Sequence, residues 1–446
     1  MPGYFKKILD FSSIRKRTAK TTAPISGIST KVALHLVKTV SHYFPDIAGI
    51  IAKQINDPRD NRGKVYSIHE AILSVVLMFL LKEGSRNSYN QDRAEPRFNR
   101  NIRRLLNINL MHGDAFNDVM AVVDEDELQK LKAAMVKILI AHKVFYPYRY
   151  KGKYIVAVDG TGTHSFENNY NEKCLTKTSK NGVTTYSQAV LEAKLVAPNG
   201  FCISLASIWM ENNESDEHDK QDCELNAFKR LAAKIKSLYP RLPIVIVADA
   251  LYANAPMMDI CKTCLWDYVL VLKKGNLKDL NEEIGLRPDK KTEKTKRGML
   301  MYLNDLQVES HRLSWLMWKE IDNTFSWITN IEIENAEIAS KLQKVGRLRW
   351  KIENEGFNTQ KTLGYDLEHK YSRIDFNATK NYYQCMQIAH LIEQLALLSK
   401  AMKSLLTGKT SIIKLTERIR NILVLININA KAVGVLIERK IQIRFE

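Results

Sequence analysis

The stretch KYIVAVDGTGTHSFE, residues 153–167, places a single acid, Asp159, directly after a run of strand-forming residues. A continuous apolar run rich in Val, Ile and Tyr indicates a strand that is covered on both faces. The GTGT that follows Asp159 is typical of a turn. The stretch therefore predicts a buried strand ending on a carboxylate, which either begins a solvated turn or serves as a metal ligand.

Further apolar runs extend this strand into a sheet. SQAVLEAKLVA (187–197) and FCISLASIWME (201–211) follow it, separated by the turn signal PNG, and predict an antiparallel meander. A helical pattern comes next (219–239), and then two more apolar strands, PIVIVADALYAN (243–254) and DYVLVLKKGN (267–276). Because a helix between buried strands implies a right-handed parallel crossover, this order predicts an α/β sheet with helices packed on it.

Composition and periodicity divide the whole chain into six segments. They are a basic, loosely ordered segment (1–30), a helical domain (31–150), the first part of the sheet domain (151–275), a β-rich insertion (276–338), a helix with the rest of the sheet domain (339–378) and C-terminal helices (379–446). The insertion includes a highly charged stretch, RPDKKTEKTKRG (287–298), which predicts a loop.

The charge balance limits the kind of partner. Among 446 residues, 67 are Lys or Arg and 49 are Asp or Glu, which gives a net charge of +18. Such an excess favours a polyanionic partner, most often nucleic acid, over a merely basic enzyme.

The cysteines and the apolar runs indicate the cellular compartment in which the protein is expected. Six scattered cysteines are too few for a disulfide framework, and CKTC (261–264) has no second pair of metal ligands nearby, so we interpret it as part of a helix. The N-terminus has no apolar signal core, and the most apolar run (71–82) is shorter than a membrane span. These features predict a reduced, cytoplasmic protein with a buried helix at 71–82.

A second predicted strand also ends on an acid, Asp249. A crossover pair of strands can bring Asp159 and Asp249 to one edge of the sheet, where two anions repel each other unless a cation lies between them. A hard divalent ion such as Mg²⁺ takes oxygen ligands of this kind. Either acid alone could equally begin a turn or cap the following helix.

A third acid, Glu353, lies on a predicted helix and shares its face with Arg349, Trp350 and Phe357. Glu353 alone would fit a surface salt bridge with Arg349, and the two aromatic residues are interpreted as core packing. Glu355 is the alternative third acid. Glu353 is preferred because the cationic and aromatic side chains share its helix face.

The three acids, in this order, resemble the DDE transposases of bacterial insertion sequences. VAVDGTGTHS, IVIVADALYAN and RLRWKIENEGFNTQK each resemble a block of that family, and the resemblance covers about residues 150–395. It implies a ribonuclease-H-like catalytic core, a mixed five-stranded sheet with helices, that carries a β-rich insertion between Asp249 and Glu353. It also implies an all-α N-terminal domain that binds transposon ends, and C-terminal helices after the core.

The family signature around the glutamate has Tyr, Arg, Glu and Lys at fixed spacings. Arg349 and Glu353 match it, whereas the Tyr position holds Gly346 and the Lys position holds Gln360, with Lys361 beside it. On a regular helix of 3.6 residues per turn, Lys361 is turned by about 80° from the expected face.

The resemblance implies a two-metal reaction at the three acids. Asp159, Asp249 and Glu353 would hold two Mg²⁺ ions about 3.5–4 Å apart, with Mn²⁺ as a substitute. One ion would activate water and later a DNA 3′-hydroxyl, while the other would stabilise the leaving oxygen. His164 is interpreted as a polar loop residue without a catalytic role.

Double-stranded DNA, as transposon ends and as target, is the expected partner, bound by a dimer in a synaptic complex of the bacterial nucleoid. Two groups of basic residues are predicted to bind it. Phosphates near the cleavage point are assigned to Arg349, Lys361, Lys273 and Lys274, and end recognition is assigned to Arg100, Arg103 and Arg104.

Two other functions remain open at this stage. One is a catalytically silent or domesticated transposase-derived protein that binds DNA without cutting it. The other is a metal nuclease of the same fold with a role in repair. The acidic stretch ENNESDEHDKQD (211–222) could form another metal site, but it is better interpreted as the solvated start of a helix.

Overall fold

The computed structural model describes residues 27–445 except 61, 63, 169–172, 180, 213–222, 374, 407–410 and 429–442. Residues 1–26 of the predicted loose segment 1–30 therefore lie outside the described residues. So do residues 213–222 of the acidic stretch 211–222. The described residues form two compact units, one within Met1–His142 and Asn358–Glu446 and one within Lys143–Phe357.

The first unit is built from helices contributed by both ends of the chain, and is called the helical unit below. Its α-helices are Gly27–Tyr43, Ile47–Gln54, Ile68–Leu80, Arg86–Ala94, Pro96–Leu106, Gly113–Val122, Glu125–Ala141, Thr359–Thr362, Phe376–Leu397, Lys400–Leu405 and Ile412–Leu425. Phe376–Leu397 is buried along most of its length and packs against Ile68–Leu80. The C-terminal helices thus complete the core of the N-terminal ones.

The helix Ile68–Leu80 begins at a capping box. Ser67 Oγ accepts a hydrogen bond from the backbone N–H of Glu70, and the Glu70 carboxylate accepts one from the backbone N–H of Ser67. The residues from Ala71 to Phe79 are all buried, which confirms the predicted buried helix. Within the described part of the chain, no helix is both long and apolar enough to cross a membrane.

The second unit is built around one sheet, and is called the sheet unit below. Its strands are β1 (Tyr154–Phe166), β2 (Leu175–Thr178), β3 (Thr184–Val196), β4 (Cys202–Met210), β5 (Ile244–Ala248), β6 (Asp267–Val271), β7 (Lys291–Thr295), β8 (Gly298–Val308), β9 (His311–Lys319) and β10 (Thr324–Thr329). Its helices are Glu224–Leu238, Ala255–Cys264, Lys278–Leu286 and Ala336–Arg347, followed by a π-helical turn, Ile352–Asn358. Cys261 and Cys264 lie on one of these helices, and none of the six cysteines, all of which lie in the described ranges, forms a disulfide bond.

The sheet is mixed, as predicted, and it holds ten strands, the five predicted for the core and five more. The order is β2-β3-β1-β5-β6-β10-β9-β8-β7, with β4 also paired to β3. β1–β5 and β5–β6 are parallel, and the other pairs are antiparallel. The strands of the predicted insertion therefore continue the same sheet, because β10 hydrogen-bonds directly to β6.

The predicted turn at GTGT is wrong. β1 runs on to Phe166, and this part pairs with β3, with a bulge between Gly162 and His164. The long partner strand explains the difference, because it offers hydrogen bonds well beyond Asp159. His164 is accordingly buried within the strand and stacked on Phe166, and not in a polar loop.

The charged stretch 287–298 is also more regular than expected. Residues Lys291–Thr295 form β7, an edge strand that is exposed along its whole length and pairs with β8. Lysines on an edge strand discourage pairing with a second molecule, so the charge that suggested a loop is compatible with a strand at the edge of a sheet.

Candidate functional site

The β1–β5 ladder positions two of the predicted acids. Ala157 and Val247 are the last paired residues of this parallel ladder, and both lie in the core that is covered by Ala336–Arg347. Since side chains alternate along a strand, Asp159 and Asp249 continue the same face two residues further on. If the register continued by those two residues, the two acids would lie opposite each other at the point where β5 ends.

Arg349 joins Asp159 to the third predicted acid. Its Nη1 donates to Glu353 Oε1 at 2.6 Å and lies 3.5 Å from Asp159 Oδ2. The side chains of Arg349, Asp159 and Glu353 are 11%, 19% and 44% exposed, so the group extends from the interior to solvent. Arg349 Nε is buried without a hydrogen-bond partner among the described residues.

The electrostatics of this group act mainly on Asp159. The pKa of its carboxyl is raised to about 7; burial is the largest cause, and the nearby carboxylates of Glu353 and Glu224 act in the same direction. The Arg349 guanidinium and the Gly160 N–H, which donates to Asp159 Oδ1 at 3.0 Å, act in the opposite direction on the pKa. A partly buried carboxyl with a strongly raised pKa beside charged partners is typical of a functional site.

Asp249 also acts as a helix cap. Its Oδ1 accepts a hydrogen bond from the Leu251 N–H at 2.8 Å and so caps the short 3₁₀ turn Ala250–Tyr252. The capping interpretation of this acid is therefore correct for one carboxylate oxygen. It does not exclude a second role, because a carboxylate oxygen has two acceptor sites and the second oxygen is not used by this cap.

Lys273 and Lys274 lie at the same end of the sheet as Asp249. Both are exposed in the turn that follows β6. In that turn Asn276 Nδ2 donates to the Ala250 carbonyl at 2.7 Å, which ties it to the 3₁₀ turn after Asp249. The two predicted phosphate-binding lysines are thus held near one of the predicted acids.

The two candidate third acids have different neighbours. Glu353 contacts Arg349, as described above, whereas Glu355 forms an ion pair with Lys351. Glu355 is also among the charges that act on the buried Cys202 thiol. The geometry therefore associates Glu353, and not Glu355, with Asp159.

The helix that carries Glu353 is not regular. Residues Ile352–Asn358 form a π-helical turn, in which hydrogen bonds run from i to i+5. The angle predicted for Lys361 around the helix assumed 3.6 residues per turn, so it does not hold across this π-helical turn. In the helical unit, Lys361 forms an ion pair with Glu368 at 2.8 Å.

The aromatic residues beside Glu353 differ in burial. Phe357 is buried in the core of the sheet unit, as predicted. Trp350 is 50% exposed and contacts Phe325 edge to face, so the prediction that it packs in the core is wrong. Its position between Ala336–Arg347 and the π-helical turn leaves much of the indole in solvent.

The three arginines assigned to end recognition lie on Pro96–Leu106, in the helical unit. Arg100, Arg103 and Arg104 are exposed, while Phe98 and Ile102 on the same helix are buried. Arg104 Nη1 also donates to the Ile428 carbonyl at 2.9 Å, so this arginine has a structural contact as well.

Glu224 and Tyr252 are near Asp159 but were not found from the sequence. Tyr252 is buried, and its hydroxyl donates to Glu224 Oε2 at 2.9 Å. Glu224 Oε1 lies 2.5 Å from where a Cβ on Gly160 would stand. The sequence signals were an acid within the predicted helical pattern 219–239 and a tyrosine three residues after Asp249, and neither is specific alone.

Gly160→Ala should disturb this corner of the site. The added methyl group would displace the Glu224 carboxylate and leave the buried Tyr252 hydroxyl without its acceptor, which should lower the free energy of unfolding by about 1–3 kcal/mol. Chemical denaturation measures the change. Gly162→Ala is the matched control, because a Cβ on Gly162 meets nothing within 4 Å. Equal stability of the two variants would contradict the prediction.

The donor set is chemically suited to a hard divalent cation. Asp159, Asp249 and Glu353 offer carboxylate oxygens, the ligands that Mg²⁺ prefers. Among the described residues, no three His, Cys, Asp or Glu side chains stand close enough together to hold a metal ion as they are. Arg349 Nη1 balances Asp159 and Glu353 instead, so this guanidinium is the group that would have to move aside.

A comparison of the chain with protein-family models finds no matching family, and a comparison with curated proteins finds no matching sequence.

Proposed function

We propose that this protein is a DDE-type transposase, which cleaves DNA at the ends of an insertion sequence and transfers the strands to a target. The observation that carries the proposal is the joining of Asp159 and Glu353 through Arg349. Asp159 and Asp249 each follow the last β1–β5 pair, Ala157 and Val247, by two residues. These three carboxylates, one within β1, one directly after β5 and one on the helical segment after Arg349, are the set that the sequence resemblance assigns to catalysis.

The order of the strands supports a ribonuclease-H-like core. The predicted strands are β1, β3, β4, β5 and β6, and they lie in the order β4-β3-β1-β5-β6 within the larger sheet. β1, β3 and β4 form an antiparallel meander, and β5 and β6 run parallel to β1. This arrangement matches the mixed five-stranded sheet that the resemblance implies, with Asp159 on the central strand.

In the proposed mechanism Asp159, Asp249 and Glu353 would hold two Mg²⁺ ions, and these would supply charge stabilisation at phosphorus and a lower pKa for an attacking water or hydroxyl. Asp159 and Asp249 would hold the ions from the sheet, and Glu353 would do so from the helical segment. Arg349, once released from the two carboxylates, is placed to bind the phosphate being attacked. No side chain is needed as a covalent nucleophile.

Basic residues would position the DNA. Lys273 and Lys274 are exposed near Asp249 and can bind phosphates next to the cleavage point. The arginines on Pro96–Leu106 can bind a transposon end, and the net charge of +18 favours the approach of DNA. Phosphate contacts of this kind fix register and orientation, whereas base contacts would set the end sequence.

Lys273→Gln combined with Lys274→Gln should weaken DNA binding and make it less salt-dependent. Each lost phosphate contact lowers the slope of log K against log salt by about 1. Fluorescence anisotropy with a labelled duplex at several salt concentrations measures this slope. The matched control is Lys294→Gln with Lys296→Gln, which removes the same charge from β7 and the turn after it. Equal slopes for the two double variants would contradict the prediction.

The proposed function is tested by incubating the purified protein with DNA that carries the flanks of its own gene, with Mg²⁺ or with EDTA. Metal-dependent nicking at the element boundary, followed by joining to a target duplex, is the expected result. Binding without cleavage would favour the silent DNA-binding alternative. Cleavage without joining would favour a nuclease. Gel filtration of the DNA complex would measure whether two copies act together.

A further inference from the structure

Glu192 is a buried acid that the proposed mechanism does not use. It lies on β3, has no exposed surface, and neither of its carboxylate oxygens has a hydrogen-bond partner among the described residues. Buried carboxylates are normally paired, hydrogen-bonded or bound to a metal, because the loss of hydration is otherwise uncompensated. An acid in this position therefore calls for a partner.

The register of the sheet places Glu192 beside Asp159. The two residues are directly opposite each other in the antiparallel β1–β3 ladder. Residues opposite each other in such a ladder project from the same face, with Cβ atoms about 4.5–5.5 Å apart. The two carboxylates are therefore neighbours across the strands, although they are far apart in sequence.

The neighbouring pair, Ala157 and Lys194, shows on which face of the sheet Glu192 lies. Lys194 is opposite Ala157, and Ala157 lies in the core under Ala336–Arg347 and the π-helical turn. Lys194 Nζ lies 5.3 Å from the centre of the Phe357 ring, which belongs to that turn. Glu192, two residues before Lys194, therefore faces the element that carries Glu353.

We propose that Glu192 is a fourth carboxylate of the active site and, together with Asp159, a ligand of a divalent cation there. The assignment rests on the proposed function, since the cation is the one that DNA cleavage would need. A hard cation such as Mg²⁺ or Mn²⁺ takes about six oxygen ligands, so a second carboxylate beside Asp159 adds a ligand of the preferred kind. The Asp159 side chain is partly exposed, so an ion can reach the two carboxylates from solvent.

The test compares Mn²⁺ binding by the full-length wild type, Glu192→Gln, Asp159→Asn and the control Glu355→Gln. Isothermal titration without DNA measures affinity. Loss of an outer-sphere partner commonly costs at least about tenfold in metal affinity, and loss of a ligand should cost no less. We therefore expect Glu192→Gln and Asp159→Asn to bind Mn²⁺ at least about tenfold more weakly, with Glu355→Gln unchanged.

Thermal unfolding of the same variants separates a ligand from a structural residue. In EDTA, Glu192→Gln should unfold at the wild-type temperature or above it, because the uncompensated carboxylate is gone. With Mn²⁺ it should gain less in melting temperature than the wild type does. If Glu192→Gln does not fold, Glu192→Asp, which keeps the charge but shortens the reach, should still bind Mn²⁺ more weakly.

The outcomes distinguish this proposal from the proposed function. Wild-type affinity in Glu192→Gln, or in Glu192→Asp where the first variant does not fold, overturns the role of Glu192 even if the wild type cuts DNA. Mn²⁺ binding that depends on Asp159 and Glu192, in a protein that never cuts DNA carrying its own flanks, supports the metal site while overturning the transposase.

Discussion

Glu353→Gln should abolish metal-dependent DNA cleavage while leaving the fold and DNA binding intact. The amide is nearly the same size but cannot supply an anionic ligand, and charge stabilisation at a metal-assisted phosphoryl transfer is worth several kcal/mol. A loss of that size corresponds to a fall in rate of about a thousandfold or more. Single-turnover cleavage of an end-containing duplex measures it, with circular dichroism to check folding.

Glu355→Gln is the matched control for this experiment. It makes the same chemical change two residues away, but it removes the partner of Lys351 and not that of Arg349. Cleavage should persist at close to the wild-type rate. If instead Glu353→Gln still cuts DNA and Glu355→Gln does not, Glu355 is the third acid and the assignment made here is wrong.

Lys82→Met should be among the most destabilising single substitutions in the helical unit. Lys82 Nζ lies 3.0 Å from Glu393 Oε1 and 3.0 Å from the centre of the Tyr365 ring, and both members of the ion pair are buried. The Tyr365 hydroxyl donates to Glu393 Oε2 at 2.9 Å. Removing one partner of a buried pair leaves an uncompensated charge, which costs about 3–5 kcal/mol of unfolding free energy.

A double-mutant cycle isolates the interaction. Lys82→Met and Glu393→Gln should each destabilise strongly, whereas the combination should cost less than the two single changes added together, since no buried charge is left. Gln can still accept the Tyr365 hydrogen bond. Guanidinium chloride unfolding measures the four proteins. If the loss in the double variant equals the sum of the two single losses, the ion pair is not energetically coupled.

The pH dependence gives a second measure of the same ion pair. Burial lowers the pKa of Lys82 from 10.5 to about 8, although Glu393 and Asp366 oppose this shift. Between about pH 8 and 10.5, Lys82 therefore binds more protons in the unfolded chain than in the folded one. The contribution of Lys82 to the unfolding free energy consequently rises with pH over this range, and it is lost as the pH falls through 8. The stability difference between wild type and Lys82→Met should widen over that range.

The parts of the site that could be predicted from sequence depend on local patterns. Asp159 and Asp249 each follow a run of apolar residues, and the parallel pairing of β1 with β5 follows from the crossover between those strands. The preference for Glu353 rests on the helix face that it shares with Arg349 and two aromatic residues and on the family resemblance, and the structure has the contact with Arg349. Each signal lies within about fifteen residues of the chain.

Other features depend on tertiary neighbours. The continuation of β1 through GTGT depends on the length of β3, and β7 depends on pairing with β8. Glu192 is 33 positions from its neighbour Asp159 along the chain, and only the strand register brings the two together. The π-helical turn has no simple sequence signature, so the angular positions of residues after Ile352 could not be calculated from a regular helix.

The division of the chain into units has a consequence for its synthesis on the ribosome. The sheet unit is one continuous segment, Lys143–Phe357, and can fold soon after it emerges. The helical unit has to wait, because Ile68–Leu80 packs against Phe376–Leu397, which is translated about 300 codons later. Until then the side of Ile68–Leu80 that packs on Phe376–Leu397 stays uncovered, and exposed apolar surface of this kind makes a folding chain prone to aggregation.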